Sequence, residues 1–493
     1  MKKNDILELE IVDLASDGSG VGKVAEASES GEATEASGNG KVSDGPGQER
    51  GAMTFFVKDA IVGDKILAKI TKLKKTYGYA RMTELLEPSA DRTEPVCPLH
   101  RKCGGCQIQT LSYQKQLEYK QNKICNALMR IGGFDASQIR MEPIIGMRET
   151  YRYRNKAQFP IGRDKNGKLA AGFYAARTHV IVPVDDCYLG VPQNRAVISQ
   201  ILEWMEQYQI GPYDESSGTG LIRHVLIRYG FHSRQLLVCV VMNGKSLPHE
   251  KELVDRLAAL EGMTSISINM NERRSNVIMG DVVKTIWGTD YIEDMIGDIR
   301  YQISPLSFYQ VNPVQTEVLY GKVSEFAGLS GKEVVWDLYC GIGTISLFLA
   351  RKAKKVYGIE IVPQAVEDAR RNAKLNGICN AEFFTGKAED VWESLCGNGE
   401  TERDSFNGEN EKWRPQVVVV DPPRKGCGEK LLEVILRVQP ERVVYVSCNP
   451  ATLARDLKVL CAGGYEMVRG QGVDLFCQTV HVECVVLMSR IEK

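Results

Sequence analysis

The chain has no apolar run approaching 20 residues, so a membrane-spanning helix is not expected among its 493 residues. The apolar core of a secretion signal is missing too, because the basic start Met1-Lys-Lys leads into residues 6–11, which alternate as in a strand. Fourteen cysteines without such a signal indicate reduced thiols or metal ligands rather than a disulfide framework. We therefore expect a cytoplasmic protein without a membrane partner.

A basic excess is also missing, since the formal net charge is −1, which is unusual for a nucleic-acid-binding protein. Much of the acidic charge lies in two polar segments, at about 26–50 and 397–414, and the second is predicted to be a surface loop. Basic residues cluster elsewhere, around Tyr77 and Tyr79: Lys65, Lys69, Lys72, Lys74, Lys75 and Arg81. Phosphate contact and base stacking both use this mixture, so the cluster predicts RNA contact, although a solvated strand face explains any one lysine equally well.

The order of predicted elements indicates three regions. Residues 1–88 alternate as a small β-barrel with a disordered insertion at about 26–50. Residues 89–300 form a central mixed α/β region, and the helical stretch within 108–133 is a candidate to pack on the C-terminal region. Residues 301–493 alternate strands with helices, which is the pattern of an open, largely parallel sheet.

A strand, a glycine turn, a helix, a second strand and a terminal acid follow one another at 334–360. Glycines in the turn Gly341-Ile-Gly343 let the backbone approach a ligand closely, and Glu360 stands where an acid binds ribose hydroxyls. This order predicts a Rossmann-like α/β domain that binds a nucleotide-like ligand. The turn lacks the third glycine of the dehydrogenase fingerprint, which disfavours a dinucleotide oxidoreductase. For Asp337, a turn or helix-cap role is the alternative to ligand binding.

A strand of four valines at 417–420 ends in Asp421-Pro-Pro. The prolines cannot continue the strand, and they fix a rigid turn. Asp421 is therefore expected at the carboxyl edge of the sheet, where ligands of such folds bind.

Cys448 lies between the end of the next predicted strand and a predicted helix at 450–460. Asn449 is a favoured N-cap and Pro450 a favoured first helical residue. The thiol is thus expected just before a helix N-terminus, where the helix dipole favours the thiolate and lowers the thiol pKa. A buried structural cysteine is the alternative.

Glu483 lies early in a predicted final strand at 479–488. If that strand is antiparallel to its neighbours, its first residues lie at the same edge as Cys448. The surrounding valines would desolvate the carboxylate and raise its pKa toward that of a useful base, whereas a solvent-facing residue on an edge strand is the alternative. His481, on the same face by alternation, is expected to be structural.

A thiol and a carboxylate at one edge suit the methylation of a pyrimidine carbon. Carbon 5 of uracil is too poor a nucleophile to attack a methyl sulfonium directly, but a thiolate that adds at carbon 6 turns the ring into an enolate whose carbon 5 is nucleophilic. A carboxylate must then remove the carbon 5 proton so that the thiol can leave. This chemistry predicts Cys448 as nucleophile and Glu483 as base.

The C-terminal third closely resembles the RNA uracil-5-methyltransferase family, which uses S-adenosylmethionine. The matching segments are Ser307-Phe-Tyr-Gln-Val-Asn312, Asp337-Leu-Tyr-Cys-Gly341, Gly358-Ile-Glu360, Asp421-Pro-Pro-Arg-Lys-Gly426, Ser447-Cys-Asn-Pro450 and His481-Val-Glu483. The resemblance also implies Cys448 as nucleophile and Glu483 as base. It further implies four residues that contact the methyl donor: Gln310, Tyr339, Glu360 and Asp421.

Two further features bear on this resemblance. The N-terminal β module is similar to the small RNA-binding TRAM barrel, an OB-like fold found in many family members. In Asp474-Leu-Phe-Cys-Gln-Thr479, by contrast, Cys477 stands where proline is expected. This departure bears on the rigidity of the loop before Glu483, not on the chemistry.

Three cysteines lie on one tight glycine-containing stretch, and a fourth follows in the central region: Cys97, Cys103, Cys106 and Cys187. Four thiolates suit tetrahedral zinc or an iron–sulfur cluster, and spacing alone does not choose between them. Cysteines without a metal are the weaker alternative, because three so close would readily oxidise. The resemblance implies a [4Fe-4S] cluster, which the ribosomal-RNA branch of the family carries with these spacings.

The combined prediction is an enzyme that makes 5-methyluridine in 23S ribosomal RNA, with the target base flipped into the pocket and no protein partner implied. Arg152, Arg154 and Lys156 are candidate clamps for the RNA backbone, or equally plain surface charge. The alternatives are a tRNA uridine-5 enzyme, a cytosine-5 enzyme, an adenine amino-methyltransferase with its similar polar-Pro-Pro motif, and a non-catalytic iron–sulfur protein that binds RNA.

Overall fold

The computed structural model describes residues 1–24, 53–175, 178–396 and 412–491. The predicted insertion at about 26–50 and most of the predicted loop at 397–414 lie outside these residues. The chain divides into two compact units. The first comprises residues 1–101, 106–116 and 478–480, and the second comprises residues 102–105, 117–477 and 481–493.

The first unit contains a closed five-stranded barrel, as the alternating pattern predicts. Its strands, joined in the order β1-β2-β3-β5-β4, are β1 (Ile6–Leu14), β2 (Gly20–Val24), β3 (Thr54–Lys58), β4 (Lys65–Leu73) and β5 (Tyr77–Glu87). Every second side chain points inward, so that Leu9, Ile11, Phe55, Val57 and Ile66 form its dry core. Neighbouring strands are antiparallel except β3 and β5, which run parallel.

Helix α1 (Tyr113–Ala127) follows, and from Leu117 it belongs to the second unit. After it comes the short strand β6 (Met141–Ile145). Seven further strands form one sheet in the order β13-β12-β11-β10-β7-β8-β9. They are β7 (Lys156–Arg163), β8 (Leu169–Tyr174), β9 (Ile181–Pro183), β10 (Ile222–Tyr229), β11 (Leu236–Met242), β12 (Met263–Met270) and β13 (Val282–Gly288).

Two helices, α2 (Gln193–Gln207) and α3 (Glu250–Ala258), cover one face of this sheet. The sheet is buried on both faces in its middle, which explains why β11 is a continuous apolar run rather than an alternating one. A hairpin of β14 (Ile292–Ile296) and β15 (Ile299–Ile303) leads to α4 (Pro313–Ala327).

The C-terminal region forms the predicted α/β sheet, with the strand order β18-β17-β16-β19-β20-β22-β21-β6. Its elements are β16 (Val334–Leu338), α5 (Thr344–Ala350), β17 (Lys355–Glu360), α6 (Pro363–Leu375), β18 (Ala381–Thr385), α7 (Ala388–Cys396), β19 (Val417–Val420), α8 (Glu429–Val438), β20 (Arg442–Ser447), α9 (Pro450–Ala462), β21 (Tyr465–Val473) and β22 (Glu483–Arg490). Strands β16 to β20 are mutually parallel. The Rossmann-like α/β prediction is therefore confirmed.

Two strands of this sheet depart from the simple alternating scheme. β22 lies between β20 and β21 and is antiparallel to both. It begins at Glu483, later than the start at 479 that the apolar pattern predicts. At the sheet's end, β6 pairs in parallel with β21, so that the central region 89–300 contributes one strand to the C-terminal sheet.

Among the described residues, every helix falls short of the length and apolar character that a bilayer crossing requires.

Candidate active site

The carboxyl ends of the parallel strands bring four predicted residues to one edge of the sheet. Tyr339 directly follows β16, Glu360 ends β17, Asp421 follows β19 and Cys448 follows β20. Because these strands are parallel neighbours in the order β17-β16-β19-β20, the four residues lie along the same edge. Strand ends and turn residues in the sequence predicted this position for Glu360, Asp421 and Cys448, whereas Tyr339 was implied by the resemblance alone.

Glu483 reaches the same edge from the opposite direction. It is the first residue of the antiparallel strand β22, in which Cys484 is the register partner of Ser447. Glu483 therefore lies next to Cys448, the residue that follows the end of β20, as the antiparallel arrangement requires. Its side chain is only 3% exposed.

The turn after β16 has the conformation that the glycines were expected to supply. Tyr339 has φ 71°, and Gly341 and Gly343 have φ 55° and 82°, all in the left-handed region. A Cβ added at Gly341 would meet no atom of the described residues within 4 Å, so open space adjoins this residue, whereas at Gly343 it would press on Phe383 at 3.1 Å. Gly341 thus fits a close-approaching ligand and Gly343 fits helix packing.

Glu360 is tied to the same turn. Its Oε2 accepts a hydrogen bond from the Gly341 N–H at 3.2 Å, and its Oε1 accepts one from the Val362 N–H at 2.9 Å. The carboxylate is half-buried, so it fixes the turn while part of it remains accessible. This placement suits an acid that binds ribose hydroxyls.

Asp337 is not a helix cap, because Gly343 holds the N-cap position of α5. It is fully buried inside β16, and it accepts a hydrogen bond from the hydroxyl of Ser346. Burial raises the pKa of its carboxyl to about 7. Its Oδ1 has no hydrogen-bond partner among the described residues, and such an orphaned buried oxygen fits a polar ligand beside the glycine turn.

The electrostatics of Cys448 contradict the sequence-based expectation. Burial is the largest effect, and together with the carboxyls of Glu483 and Asp421 it raises the pKa of the thiol to about 11, although Arg424 lowers it. The helix dipole favours the thiolate, but burial of the thiol and, after it, the two nearby carboxyls outweigh this effect. The cap itself is as predicted, since the Asn449 side chain accepts a hydrogen bond from the Ala451 N–H at 3.1 Å.

Glu483 follows the prediction. Burial raises its pKa well above the ordinary value, the neighbouring Asp421 raises it further, and Arg424 opposes both. Burial also raises the pKa of Asp421. Two carboxyls that interact this closely favour a state in which one of them holds a proton.

Arg424 is the residue of this edge to which sequence analysis gave no role. Its positive charge lowers the pKa of both Cys448 and Glu483. The turn that carries it is fixed by α9, because Asn449 Nδ2 and Thr452 Oγ1 donate to its carbonyl oxygen at 3.0 and 3.2 Å. The signal was present in Asp421-Pro-Pro-Arg424, where a cation directly follows a rigid turn at the ligand edge.

Gln310 lies in the segment between β15 and α4, and it is 7% exposed. Asn155 Nδ2 donates to its carbonyl oxygen at 2.9 Å. Asn312, two residues further, caps α4 and donates to the Leu475 carbonyl oxygen at 3.0 Å, in the loop that precedes Glu483. The predicted donor-binding segment is thereby connected to the region of the predicted base.

Two of the candidate RNA clamps, Arg152 and Lys156, differ in their surroundings, and His481 was expected to be structural. Arg152 forms two hydrogen bonds of 2.6 Å with Asp186, so that its charge is already neutralised within the protein. Lys156 is half-buried beside Arg228, and burial, followed by that cation, lowers its pKa to about 7. His481 has a pKa lowered to about 4 by burial and by nearby cations, which makes it neutral at pH 7.

The structure does not support the predicted metal site. In the part of the chain that the structure describes, no three His, Cys, Asp or Glu side chains form a group that could hold a metal ion. Cys97 and Cys106 belong to the first unit, whereas Cys103 and Cys187 belong to the second. All four side chains are half-buried.

Together, the glycine turn, the acid at the end of β17 and the Asp-Pro-Pro turn on this sheet define the class of S-adenosylmethionine-dependent methyltransferases. Residues 112–491 match the tRNA (uracil-5-)-methyltransferase family, and the chain belongs to it. The family predicted from the motifs is thus confirmed, and the chain is an RNA methyltransferase.

Relatives extend this likeness over nearly the whole chain. An uncharacterized RNA methyltransferase of Halalkalibacterium halodurans is 47% identical over 490 residues, 99% of this chain and 98% of its own. One from Clostridium acetobutylicum is 44% identical over 494 residues, 100% of this chain and 99% of its own. The crystal structure of Pyrococcus abyssi tRNA (uracil-54, C5)-methyltransferase in complex with S-adenosyl-L-homocysteine has a TM-score of 0.72 and 27% identity, covering 98% of this chain and 99% of that one.

Proposed function

We propose that this chain methylates carbon 5 of a uridine in RNA through a transient bond between Cys448 and carbon 6. The observation that carries the proposal is the meeting of a thiol and a buried, weakly acidic carboxyl, Cys448 and Glu483, at the ligand edge of a methyltransferase sheet. A nitrogen-methylating enzyme has no use for this pair.

The chemistry divides into three steps. The Cys448 thiolate bonds to carbon 6, and the electrons of the 5,6 double bond move onto oxygen 4 as an enolate. Carbon 5 then bonds to the methyl group of S-adenosylmethionine, whose carbon–sulfur bond breaks to leave a neutral thioether. Glu483 removes the carbon 5 proton, the double bond reforms and the thiolate leaves.

The proposed donor contacts are Gln310, Tyr339, Glu360 and Asp421, of which Tyr339 lies in the glycine turn and Glu360 is bonded to it. S-adenosylmethionine brings a positive sulfonium charge, which complements the cluster of acids at this edge. A cation held near Asp421 and Glu483 would lower the pKa of both carboxyls and of the Cys448 thiol. Donor binding would therefore favour the charged forms that the reaction uses.

The test is incubation with a labelled methyl donor and RNA that contains 5-fluorouridine. Fluorine at carbon 5 cannot leave as a proton does, so a covalent protein–RNA adduct should accumulate and survive denaturation, and mapping it would name the nucleotide. Cys448→Ala should give no adduct and no methylation. Methylation retained by Cys448→Ala would favour an adenine amino-methyltransferase, and absence of donor binding by calorimetry would favour a non-catalytic RNA-binding protein.

For the substrate we propose 23S ribosomal RNA, with the target uridine flipped out of its stack. This choice comes from the cysteine spacing shared with the ribosomal-RNA branch, whereas the family description and the Pyrococcus abyssi enzyme name tRNA. Equal amounts of 23S transcript and tRNA transcript should decide between them. Methyl incorporation into tRNA alone would contradict the proposal.

The [4Fe-4S] cluster on Cys97, Cys103, Cys106 and Cys187 remains a prediction from sequence. If it is right, protein purified without oxygen should contain about four irons with matching acid-labile sulfide, since each such cluster has four of both. Cys187→Ser should lower both contents, whereas the matched variant Cys379→Ser, at an exposed cysteine, should not. Stoichiometric zinc, or no metal at all, would show that the prediction is wrong.

A further inference from the structure

The loop after β21 is held by buried polar side chains that come from distant parts of the second unit. Lys120 in α1, Tyr153 before β7 and Asn312 and Gln315 at the start of α4 all donate hydrogen bonds to its residues 474–477. None of these four side chains is more than 2% exposed. Four buried donors on one short loop indicate that the exact position of this loop matters for more than packing.

The central contact is a fully buried ion pair. Lys120 Nζ lies 2.6 Å from Asp474 Oδ1, and both side chains are 0% exposed. The same ammonium donates to the Phe476 carbonyl oxygen at 3.0 Å, and the Phe476 N–H donates back to Asp474 Oδ1 at 3.1 Å. One cation thereby closes the turn at 474–476. Buried ion pairs add little net stability, because removing both charges from water costs about as much as their attraction returns.

Further donors fix the backbone on either side of this pair. Gln315 Nε2 donates to the Asp474 carbonyl oxygen at 3.2 Å, and Asn312 Nδ2 donates to that of Leu475 at 3.0 Å. The Tyr153 hydroxyl donates to the Cys477 carbonyl oxygen at 3.0 Å. The rigidity expected from a proline at position 477 is thus supplied by hydrogen bonds from outside the loop.

The strand register joins this loop to the reacting groups. Val473, which directly precedes Asp474, is the register partner of Glu483, and Cys484 is the partner of Ser447, which precedes Cys448. Asp474 directly follows the end of β21, which pairs with Glu483. A displacement of Asp474 would therefore displace Glu483 relative to Cys448. Asn312 binds the Leu475 carbonyl oxygen and lies two residues from Gln310, so the position of the loop also affects the position of Gln310.

We infer that Lys120, Asp474 and Tyr153 are positioning residues, whose buried contacts with the 474–477 loop hold Glu483 where it can remove the carbon 5 proton. The inference rests on the proposed function, since it assumes that Glu483 is the base. A merely structural network would slow every step together. A positioning network slows the last step most, because the thiolate attack and the methyl transfer do not use the Glu483 carboxylate.

The test uses RNA with ordinary uridine and follows the denaturant-resistant protein–RNA complex together with turnover. Glu483→Gln should accumulate the methylated adduct and Cys448→Ala should form none. Lys120→Met should accumulate adduct and lose about tenfold or more in turnover, because misplacing a reacting group by about 1 Å can cost roughly 100-fold. Asp474→Asn, which keeps an oxygen acceptor at that place, should give an intermediate result.

Tyr153→Phe is the gentler variant, and the chain offers a matched control for it. Tyr465 is equally buried, 2% exposed, and lies at the opposite end of β21, where its hydroxyl donates to the Pro440 carbonyl oxygen at 2.8 Å. Tyr465→Phe removes this hydroxyl. Tyr153→Phe should raise the steady-state adduct several-fold above that of Tyr465→Phe at equal melting temperature. This comparison of Tyr153→Phe with Tyr465→Phe tests the inference even if Lys120→Met fails to fold.

Two outcomes would overturn the inference, and they are distinguishable. If Glu483→Gln accumulates adduct but Tyr153→Phe matches Tyr465→Phe, the positioning role is wrong and the proposed function stands. If Glu483→Gln turns over like the unchanged protein, the base assignment is wrong and the positioning role falls with it.

Discussion

The Cys448 thiol is held mostly protonated in the protein alone. With a pKa of about 11, roughly one thiol in 10⁴ is ionised at pH 7. Burial and the adjacent acids thus keep the thiol protonated, Arg424 limits their effect, and the proposed function requires the positively charged donor to lower this pKa. In the proposed mechanism, Cys448 is therefore a nucleophile that becomes ionised when the methyl donor binds, rather than one permanently activated by the helix terminus.

Alkylation measures this directly. Below its pKa the thiolate fraction grows about tenfold for each pH unit, so the rate of Cys448 modification by iodoacetamide should rise in that way from pH 7 to pH 10. Arg424→Gln should be slower at each pH, because loss of the guanidinium raises the thiol pKa further. Mass spectrometry of the Cys448 peptide separates this thiol from the others. A plateau already below pH 8 would mean that the helix terminus dominates after all.

For single residues, the sequence predicted positions in the fold better than it predicted ionisation states. Cys448 and Asp421 could be placed because each follows a strand and precedes a turn or cap that the sequence spells out locally. The raised thiol pKa could not be predicted, because its largest cause is burial of Cys448 in the folded chain, followed by Glu483, which only strand pairing brings near. Lys120 shows the same limit, since nothing in α1 signals a partner 354 residues away.

The side chain of Asn449, at the start of helix α9, connects two parts of the candidate active site. Asn449 Oδ1 accepts from the Ala451 N–H and so caps the helix, while its Nδ2 donates to the Arg424 carbonyl oxygen. Arg455 adds a bond of 3.0 Å to the Lys425 carbonyl oxygen in the same turn. The helix that begins after the nucleophile therefore also fixes the turn that carries the cation.

The two functions of Asn449 can be separated by substitution. Asn449→Asp keeps the cap acceptor but loses the donor to Arg424, so activity should fall while stability stays close to that of the unchanged protein. Asn449→Ala loses both, and it should also lose about 1 kcal/mol in the free energy of unfolding. Methylation assays and denaturant unfolding check the pair. Full activity of Asn449→Asp would show that the bond to Arg424 has no catalytic consequence.

Elements with local signals were predictable, and those that depend on long-range pairing were not. Proline and asparagine mark the starts of α4 and α9 in the sequence, and the structure places both helices there. The pairing of β6 with β21 joins residues more than 300 positions apart, and no local pattern reveals it. The start of β22 was misjudged because Val480 and Val482 continue the apolar pattern of the strand without belonging to it.

At the scale of the whole molecule, the distribution of charge reconciles a net charge of −1 with an RNA substrate. Of the basic residues that the sequence analysis grouped around Tyr77 and Tyr79, Lys72, Lys74 and Lys75 are exposed in the first unit, and we call these five residues the barrel cluster. On the outer face of the barrel the rings of Phe56, Tyr77 and Tyr79 lie with centroids 5.7 to 5.8 Å apart. Lys72 is the register partner of Tyr79. Lys72 therefore lies beside this group of rings, and such a combination of a cation with aromatic faces suits RNA contact.

Charge and stacking in this barrel cluster make different predictions for RNA binding. Replacing Lys72 and Lys74 with glutamine should weaken binding of substrate RNA and reduce the slope of log affinity against log salt by about one for each phosphate that the protein then leaves unneutralised. Tyr77→Ala should cost about 1–3 kcal/mol for each stacked base and leave that slope nearly unchanged. Titrations at several salt concentrations distinguish the two effects.

Lys65 provides the control for charge, since it lies on the same barrel but already pairs with Glu87 at 2.8 Å. Lys65→Gln removes one positive charge, but this charge is already paired with Glu87 and is not available to phosphate. The slope of log affinity against log salt should therefore equal that of the unchanged protein. If Lys65→Gln weakens binding as much as the Lys72 and Lys74 substitutions do, the barrel acts only through overall charge. Unchanged affinity in every variant would instead place RNA recognition in the second unit, because the barrel cluster would then supply neither phosphate binding nor stacking.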